Sequence, residues 1–477
     1  MTTIIDIPKH KTIHMIGIGG CGMSAIAKVL LEKGHRVTGS DIKDNITTIR
    51  LRDMGATIFL NHQVSNLREA DIIVLSSAIK EDNVEYAYAL QENMPTYKRA
   101  EMLNYLMSHH KKKVAVAGTH GKTTTTAMLT RILDFQQKTP TYVVGGELQD
   151  YGGNAALGDN EYFITEADES DGSFLLLNPN IALINNIEPE HMEYYKELSN
   201  LLEHFQKFID SVIAQDGLLI INKDDQELVM LTKNIDQKNI IFYSVKEQSP
   251  IMAQNITYSP EGVKFNIILN GEDHGTICMR VHGLHNVYNA LAAITYAITE
   301  RLSLDLTKKG LMDFSGTKRR FQLIGEFAGI QVYDDYGHHP TEIKVTVEGA
   351  KKGFDRRTIC IFQPHRYTRT RDLIDVFPEA FDEADITIIT GIYSANEPKI
   401  EGVSGKLIVD KMQERNKTRV MFIEKKSDIA HQILPILKKG DLIITMGAGD
   451  IHTVAKEILA SLKNQNKTES SMYSEEQ

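Results

Sequence analysis

The chain has 477 residues, of which 42% are hydrophobic and 24% are charged, a composition typical of folded globular proteins. At about 150 residues per domain, this length predicts three domains. The chain has 53 Lys and Arg residues and 63 Asp and Glu residues, and its net charge of −10 argues against nucleic-acid binding. No apolar run is long enough to span a membrane, and the N-terminus lacks the apolar core of a signal peptide. The cysteines Cys21, Cys278 and Cys360 form no CxxC pair, so we expect no disulfide framework and a cytoplasmic location.

Short apolar runs alternate with helical patterns along the chain, as in parallel α/β units. In the first block the pattern predicts a helix that ends near Leu31 and strands at 13–18, 36–39, 57–60 and 72–75. A basic segment at 108–113 interrupts the pattern before a new strand begins. The first domain is therefore predicted to cover residues 1–110.

The second block, 111–316, contains predicted strands at 114–117, 162–167, 181–184 and 218–221. Alternating polar and apolar residues between about 251 and 281 predict antiparallel strands inserted into an otherwise parallel sheet. A helix is predicted from about 286 to 300.

The third block, 317–465, contains predicted strands at 330–333, 358–362, 386–389, 420–423 and 442–445. Residues 466–477 are polar, and we expect them to be disordered. The fold class is therefore predicted to be α/β with three domains.

A glycine-rich loop follows the first predicted strand. The segment Gly17-Ile-Gly-Gly-Cys-Gly22 fits GxGxxG, and Asp41 lies nineteen positions beyond Gly22 at the end of the second strand. Glycines let backbone N–H groups approach a pyrophosphate, and the acid can bind ribose hydroxyls. Any diphosphate-linked nucleotide satisfies this pattern, and a strand-to-helix turn without a ligand remains the alternative.

A second loop follows the strand at 114–117. Its sequence Gly118-Thr-His-Gly-Lys122-Thr-Thr124 combines glycines, one lysine and hydroxyls at the start of a helix. Such a loop cradles phosphates, with the lysine on the β/γ-phosphates and a hydroxyl on Mg²⁺. The generic P-loop has its first glycine where Val116 stands, so this loop departs from that pattern. We predict ATP binding, and a non-catalytic ATP-binding protein stays open.

Motifs in all three blocks are similar to those of the Mur ligases, the ATP-dependent amide-forming enzymes of peptidoglycan precursor synthesis. The chain is identified as a member of that family on the segments 17–24 (GIGGCGMS), 76–80 (SSAIK), 99–103 (RAEML), 118–124 (GTHGKTT), 166–171 (EADESD), 188–192 (EPEHM), 283–289 (GLHNVYN), 319–322 (RRFQ), 334–340 (DDYGHHP), 362–369 (FQPHRYTR) and 447–451 (GAGDI). These motifs occur in the family's order, which makes their combination more specific than either loop alone.

The resemblance implies a Rossmann-like N-terminal domain for a UDP substrate, a central P-loop ATPase domain with a mixed sheet, and a Rossmann-like C-terminal domain that delivers the amino acid. It is strongest to the branch that joins L-alanine to the lactyl carboxylate of UDP-N-acetylmuramate through an acyl phosphate, with release of ADP and phosphate. Such an enzyme serves cell wall biogenesis, cell shape and cell division, and acts as a monomer or homodimer without nucleic-acid or membrane partners. A sister branch that recycles a tripeptide onto the same sugar is the nearest alternative, and an NAD-dependent oxidoreductase is a more distant one.

Carried onto this chain, the resemblance implies three sets of binding residues. The UDP substrate is expected at Gly17, Gly19, Gly20, Gly22, Met23, Ser24, Asp41, Ser76 and Ser77. ATP is expected at Gly118, Thr119, His120, Gly121, Lys122, Thr123, Thr124, His285, Asn286, Asn289, Arg320, Asp335 and Tyr336. The amino acid is expected at His338, His365, Arg366 and Arg369.

The same resemblance implies the catalytic groups, which are Lys122, Glu169, His191, Arg320, Arg366 and Arg369. Two anions must approach each other, so Lys122 and Mg²⁺ are expected to offset their repulsion. The expected Mg²⁺ ligands are Thr123, Glu169 and His191. Arg366 and Arg369 lie one helical turn apart, so their guanidinium groups can converge on an α-carboxylate.

Overall fold

The computed structural model describes residues 7–415 and 419–475, with side chains described as far as residue 464. Contacts divide the chain into two compact units. The first comprises Met1–Asn255, Phe265–Ile277 and Tyr288–Phe314, and the second comprises Ile256–Lys264, Cys278–Val287 and Ser315–Gln477. Within the described ranges, no helix combines the length and the apolar character needed to cross a bilayer.

The N-terminal part of the first unit is a five-stranded parallel sheet in the order β3-β2-β1-β4-β5. Its strands are β1 (Thr12–Ile16), β2 (Arg36–Asp41), β3 (Thr57–Leu60), β4 (Ile72–Leu75) and β5 (Thr96–Lys98). Its helices are α1 (Cys21–Glu32), α2 (Ile46–Asp53), α3 (Val84–Gln91) and α4 (Arg99–Ser108). The strand order reverses beside β1, so the first glycine loop lies at the switch point where such sheets bind nucleotides.

A ten-stranded mixed sheet follows, in the order β15-β14-β13-β12-β11-β10-β6-β9-β7-β8. The strands are β6 (Lys112–Ala117), β7 (Thr141–Leu148), β8 (Gly153–Ala156), β9 (Tyr162–Glu166), β10 (Ile181–Ile184), β11 (Leu218–Asn222), β12 (Ile240–Ser244), β13 (Ile251–Ser259), β14 (Gly262–Leu269) and β15 (Glu272–Met279). The helices are α5 (Lys122–Phe135), α6 (Met192–Tyr195), α7 (Leu198–Ile213), α8 (Gln226–Thr232), α9 (Leu284–Thr299) and α10 (Leu304–Asp313). Because β6 lies between β9 and β10, the loop that follows it opens at the centre of the sheet.

The C-terminal sheet has six strands in the order β16-β17-β21-β18-β19-β20, and only β16 is antiparallel to its neighbour. The strands are β16 (Gln322–Phe327), β17 (Ile330–Asp335), β18 (Thr358–Phe362), β19 (Ile386–Thr390), β20 (Val420–Ile423) and β21 (Leu442–Met446). The helices are α11 (Pro340–Phe354), α12 (Tyr367–Asp372), α13 (Phe377–Ala380), α14 (Gly405–Glu414), α15 (Lys426–Ile433) and α16 (His452–Glu475). Apolar side chains cover both faces of this sheet in two separate buried clusters.

The predicted α/β class, with Rossmann-like outer sheets and a mixed central sheet, is confirmed. The two-residue connection between β13 and β14 makes these neighbouring strands antiparallel, as the sequence predicts for this region. The structure differs at the C-terminus, where disorder is expected from residue 466. Helix α16 continues to Glu475, because no Gly or Pro interrupts it, and residues 476–477 lie outside the described residues.

Candidate active site

The loop between β6 and α5 depends on two glycines. Gly118 has a φ of +119°, and a Cβ there would lie 2.9 Å from the carbonyl oxygen of Asn186. Gly121 has a φ of +83° and would place a Cβ against Asn289. The backbone N–H groups of Thr119 and His120 donate to the carbonyl and side-chain oxygens of Asn186 at 3.0 and 2.8 Å. Contacts with neighbouring residues therefore hold the loop in a backbone conformation that residues other than glycine rarely adopt.

Lys122 lies folded across this loop. Its ammonium donates to the carbonyl oxygens of Gly118 and Thr119 at 2.7 and 3.2 Å and contacts both carboxylate oxygens of Glu169 at 2.9 and 2.7 Å. Burial opposes its charge, but the carboxylates of Glu169 and Asp168 raise the pKa of Lys122 above its ordinary value. The lysine therefore stays cationic where phosphates would lie.

Carboxylates outnumber cations around Lys122. Glu166, Asp168, Glu169 and Glu190 all lie within electrostatic range of this one ammonium. Burial raises the pKa of both Glu166 and Glu169, and the charge of Lys122 offsets this only in part. Carboxylate oxygens are the ligands that Mg²⁺ prefers, and a second cation here would relieve their mutual repulsion. The donor set therefore fits a magnesium ion.

The three predicted metal ligands, Thr123, Glu169 and His191, interact with this acidic cluster in different ways. Glu169 is 1% exposed, and its carbonyl accepts hydrogen bonds from the hydroxyl of Tyr195 and the N–H of Gly172. The hydroxyl of Thr123 bonds Glu166. His191 has a φ of +57°, and its burial, which lowers the pKa of the imidazole, is outweighed by nearby Glu193, Glu190 and Glu169. All three residues thus face the acidic cluster.

Three amide side chains support the loop, and sequence reasoning missed two of them, those of Asn185 and Asn186. The Nδ2 of Asn185 donates to the hydroxyl of Thr125 at 3.0 Å and to the carbonyl of His120 at 3.3 Å. The same hydroxyl donates to the Oδ1 of Asn289 at 3.2 Å. We call Asn185, Asn186 and Asn289 the amide cluster. Asn289, expected to contact adenine, is 4% exposed, and its side chain lies against Gly121 of the loop.

His285 and Asn286 belong to the second compact unit and are described within it. The Nδ2 of Asn286 donates to the carbonyl of His282 at 2.7 Å and lies 3.1 Å from the Nε2 of His285. Both side chains thus stabilise the turn that precedes α9, and their expected contact with adenine stays a prediction.

The N-terminal glycine loop is organised around β2. The N–H groups of Gly17 and Ile18 donate to the carbonyl of Ser40 at 2.9 and 3.1 Å. The Oδ2 of Asp41 accepts from the N–H of Gly19 at 2.8 Å. Asp41 therefore lies beside the loop, as the fingerprint predicts, and already binds one of its amides.

The other residues expected at the UDP substrate differ in exposure. Met23 and Ser24 are 1% and 3% exposed on α1, the N–H and hydroxyl of Ser24 donate to the carbonyls of Gly20 and Cys21 at 2.8 and 2.9 Å, and the contact expected with the UDP substrate stays a prediction. A Cβ at Gly17 would lie 3.0 Å from the Cβ of Ser76, while Ser77 is exposed. Gly20 donates its N–H to the carbonyl of Gly17 at 3.2 Å and closes the turn.

Arg99 is a second residue that sequence reasoning missed. A Cβ at Gly22 would lie 3.0 Å from its Nη1, and its Nη2 lies 3.9 Å from the carboxylate of Asp168. Arg99 therefore lies between the glycine loop and the acidic cluster, where anionic groups of a substrate would pass. Its place in the motif at 99–103 was the only signal in the sequence.

Cys21 also connects these two regions. Its thiol donates to the carbonyl of Gly145 at 2.9 Å, and the Nδ2 of Asn154 lies 3.2 Å from the sulfur. Burial raises the pKa of the thiol, so it stays protonated near neutral pH.

In the second unit, Arg319 and Arg320 lie over the ring of Tyr336 at 5.1 and 5.3 Å from its centroid. The carboxylate of Asp335 accepts from the backbone N–H groups of Phe321 and Gly337 at 2.7 and 2.6 Å. Burial raises the pKa of Asp335 to about 6. Asp335, expected to bind ribose, thus holds two backbone segments together here, and the ribose contact stays a prediction.

The predicted amino-acid site is assembled around His365. The Nη1 of Arg369 lies 3.2 Å from its Nδ1, and the ring stacks on Tyr393 at 5.6 Å. The ring of His338 lies 5.8 Å from that of His365 in an edge-to-face arrangement. Arg366, with a φ of +69°, donates its N–H to the carbonyl of Tyr393 at 2.9 Å. Burial, together with electrostatic interaction with His338, Arg369 and Arg366, lowers the pKa of His365 to about 3, so its imidazole is neutral.

Three family descriptions match the chain in order. Residues 12–111 match the Mur ligase family catalytic domain, residues 116–297 the Mur ligase middle domain, and residues 319–449 the Mur ligase glutamate ligase domain. The chain belongs to the Mur ligase family.

Relatives of full length support the same assignment. The chain is 43% identical to the UDP-N-acetylmuramate–L-alanine ligase of Myxococcus xanthus over 451 residues, which is 94% of this chain and 95% of that protein. It is 42% identical to the protein of the same name from Pelotomaculum thermopropionicum over 459 residues, covering 96% and 99% of the two chains.

Solved structures of Mur ligases share the fold. The UDP-N-acetylmuramate-alanine ligase of Thermotoga maritima superposes with a TM-score of 0.81 at 29% identity and covers 96% of this chain and 100% of that one. A murein peptide ligase from Psychrobacter arcticus gives a TM-score of 0.69 at 26% identity, with coverage of 95% and 99%. Membership of this family leaves the oxidoreductase alternative without support.

Proposed function

We propose that this Mur ligase joins L-alanine to the lactyl carboxylate of UDP-N-acetylmuramate, with cleavage of ATP to ADP and phosphate, in peptidoglycan precursor synthesis. The observation that carries the proposal is identity above 40%, over almost the whole chain, to relatives named for this reaction. The buried lysine, the acidic cluster and the arginine-rich amino-acid site supply the groups that the reaction requires. Its location is the cytoplasm, where both nucleotide substrates are present.

In the first step a carboxylate attacks the γ-phosphate of ATP, the bond between the β- and γ-phosphates breaks, and the products are an acyl phosphate and ADP; the amine later displaces phosphate from the acyl phosphate. Lys122 neutralises the phosphate oxygens at the start of α5, where helix-terminal N–H groups also face the anion. Glu169 and His191 would hold Mg²⁺, and the hydroxyl of Thr123 would lie beside them. The metal supplies positive charge that stabilises the phosphates as negative charge develops.

The second step needs an amino acid held by its α-carboxylate so that its amine faces the acyl phosphate. Arg366 and Arg369 provide cations for that carboxylate, and His365 contributes a neutral imidazole between them and His338. Arg369 can only donate, so the Nδ1 of His365 accepts and its proton lies on Nε2. His365 therefore serves as a hydrogen-bond donor in this site.

The test is ATP-dependent phosphate release with Mg²⁺ and UDP-N-acetylmuramate, with each amino acid supplied in turn. Release that requires L-alanine, together with the mass of UDP-N-acetylmuramoyl-L-alanine, supports the proposal. Release that requires a tripeptide instead identifies the chain as a recycling ligase. Omission of Mg²⁺ should abolish release, and sedimentation of the active enzyme distinguishes a monomer from a homodimer.

A further inference from the structure

A carboxylate lies fully buried in the N-terminal sheet domain, away from the groups assigned above. Glu85 on α3 is 0% exposed. Its Oε2 accepts from the hydroxyl of Ser40 at 2.5 Å and lies 3.5 Å from the Nε2 of His14 and 3.4 Å from the Nδ1 of His62. Its Oε1 accepts from the N–H of Gln63 at 3.1 Å and the Nδ2 of Asn66 at 2.6 Å. Five groups from three segments, β1, β2 and the turn at 61–66, thus converge on one side chain.

Such an arrangement is costly if it serves only stability. Removing a carboxylate from water carries a large penalty, and an apolar residue of similar size is often at least as stable in its place. His14 is itself 0% exposed, and its Nδ1 lies 2.8 Å from the hydroxyl of Thr38 on β2. A buried polar network of this kind fixes the relative positions of the segments that it joins.

The segments joined by Glu85 are those that surround Asp41. On one side, the carbonyl of Ser40 accepts hydrogen bonds from the N–H groups of Gly17 and Ile18, and the hydroxyl of Ser40 donates to Glu85. On the other side, Gln63 and Asn66 anchor the turn at 61–66, and the N–H of Asn61 donates to the carbonyl of Asp41 at 2.8 Å. Movement of Glu85 would therefore release both the strand end and the turn that bracket Asp41.

We propose that Glu85 is a positioning residue for the UDP substrate: through Ser40 and the turn at 61–66 it holds Asp41 and the first glycine loop in the geometry that binds the nucleotide, without touching the nucleotide itself. The proposal rests on the proposed function, because it takes the glycine loop as the site of the UDP substrate. It assigns Glu85 no part in binding ATP or L-alanine.

The test compares three variants in the ligase assay and by amide hydrogen exchange. Glu85→Ala removes the centre of the network, and Ser40→Ala removes one link while keeping the strand. Asp71→Ala is the matched control, because Asp71 joins Lys11 and the N–H of Thr12 at the opposite end of the same sheet. We expect the KM for UDP-N-acetylmuramate to rise at least about tenfold in Glu85→Ala and about threefold in Ser40→Ala. The KM values for ATP and L-alanine should stay within about twofold of wild type in all three variants.

Hydrogen exchange gives a readout that needs no substrate. The amides of Gly17, Gly19 and Asn61 should exchange faster in Glu85→Ala and in Ser40→Ala than in Asp71→Ala. An unchanged KM for the UDP substrate in Ser40→Ala, equal increases in all three KM values, or exchange no faster than in the control would each overturn the proposal. If Glu85→Ala does not fold, Ser40→Ala decides by the same two measurements. A wild-type enzyme without turnover on UDP-N-acetylmuramate would contradict the proposed function, and the exchange experiment would still decide the role of Glu85.

Discussion

Replacement of Gly121 by Ala tests whether the amide cluster shapes the phosphate loop. Gly121 has a φ of +83°, and a Cβ at this position would overlap the Oδ1 of Asn289 and lie 2.9 Å from the Nδ2 of Asn185. Gly34 is a matched control, because its φ is +84° and no atom lies within 4 Å of a Cβ built there. Both variants bear the same backbone strain, and only one displaces the amides.

The two costs can be separated from the geometry. An L-residue held at a positive φ loses about 1–2 kcal/mol, so Gly34→Ala should lose that amount of stability. In Gly121→Ala the amides must also move, which breaks the bonds of Thr125 to Asn289 and Asn185 at 3.2 and 3.0 Å. At about 1 kcal/mol for each bond, Gly121→Ala should lose about 3–4 kcal/mol.

The assay is thermal unfolding followed by circular dichroism, together with the ATP dependence of phosphate release. Gly121→Ala should melt below Gly34→Ala, and its KM for ATP should rise at least about tenfold while that of Gly34→Ala stays at the wild-type value. If the two variants melt together and bind ATP equally well, the amide cluster does not constrain the loop and the reasoning is refuted.

Three further substitutions address the acidic cluster, the amino-acid site and the buried carboxylate. Glu169→Gln should lower kcat/KM at least about a hundredfold in the phosphate-release assay, because a predicted metal ligand and the partner of a buried lysine are lost, whereas Glu203→Gln, at an exposed residue of α7 that pairs with Lys207, should stay near wild type. Arg369→Lys should raise the KM for L-alanine about tenfold and leave that for ATP unchanged, and equal effects from Arg371→Lys, which is exposed and pairs with Asp372, would contradict this. Folding lowers the pKa of Glu85 from 4.5 to about 2, so its stabilising contribution is present above about pH 4.5 and is lost as the pH falls towards 2. Urea unfolding should therefore show a greater loss of stability between about pH 5 and pH 3 in wild type than in Glu85→Gln.

Five parallel strands match the sequence prediction to the residue, at 57–60, 72–75, 181–184, 358–362 and 420–423, and three of them are fully buried. Ile181–Ile184 and Thr358–Phe362 are continuous runs of buried residues bounded by polar turns, and that pattern has few other interpretations. Three of the strands that were missed contain glycine. β7 contains Gly145 and Gly146, β8 begins at Gly153, and β16 is an edge strand interrupted by Gly325. Their strand conformation comes from pairing partners elsewhere in the chain.

The residues of the candidate site also divide into those that the sequence predicts and those that it does not. The phosphate loop could be predicted because its glycines and Lys122 are close together in sequence. Each of them is required there for a local reason that the sequence pattern itself shows. Arg99 and Asn185 acquire their positions only when distant segments meet, and 60 residues separate Asn185 from the Thr125 that it bonds. Asn289 was recognised as part of the site, but its place beneath the loop depends on how α9 lies against α5, which no local pattern specifies.

The contacts of Lys122 determine which interactions a nucleotide must displace when it binds. The ammonium has three N–H donors, and the carbonyls of Gly118 and Thr119 with the carboxylate of Glu169 already satisfy them. A phosphate that binds the lysine must therefore displace one of these partners, and where it displaces Glu169, that residue is left as a buried carboxylate that needs another cation. A magnesium ion that arrives with the nucleotide meets that need, since its charge replaces that of the lysine at the same carboxylate. Nucleotide and metal are thus expected to bind with positive cooperativity, and Glu169 is the residue that couples them.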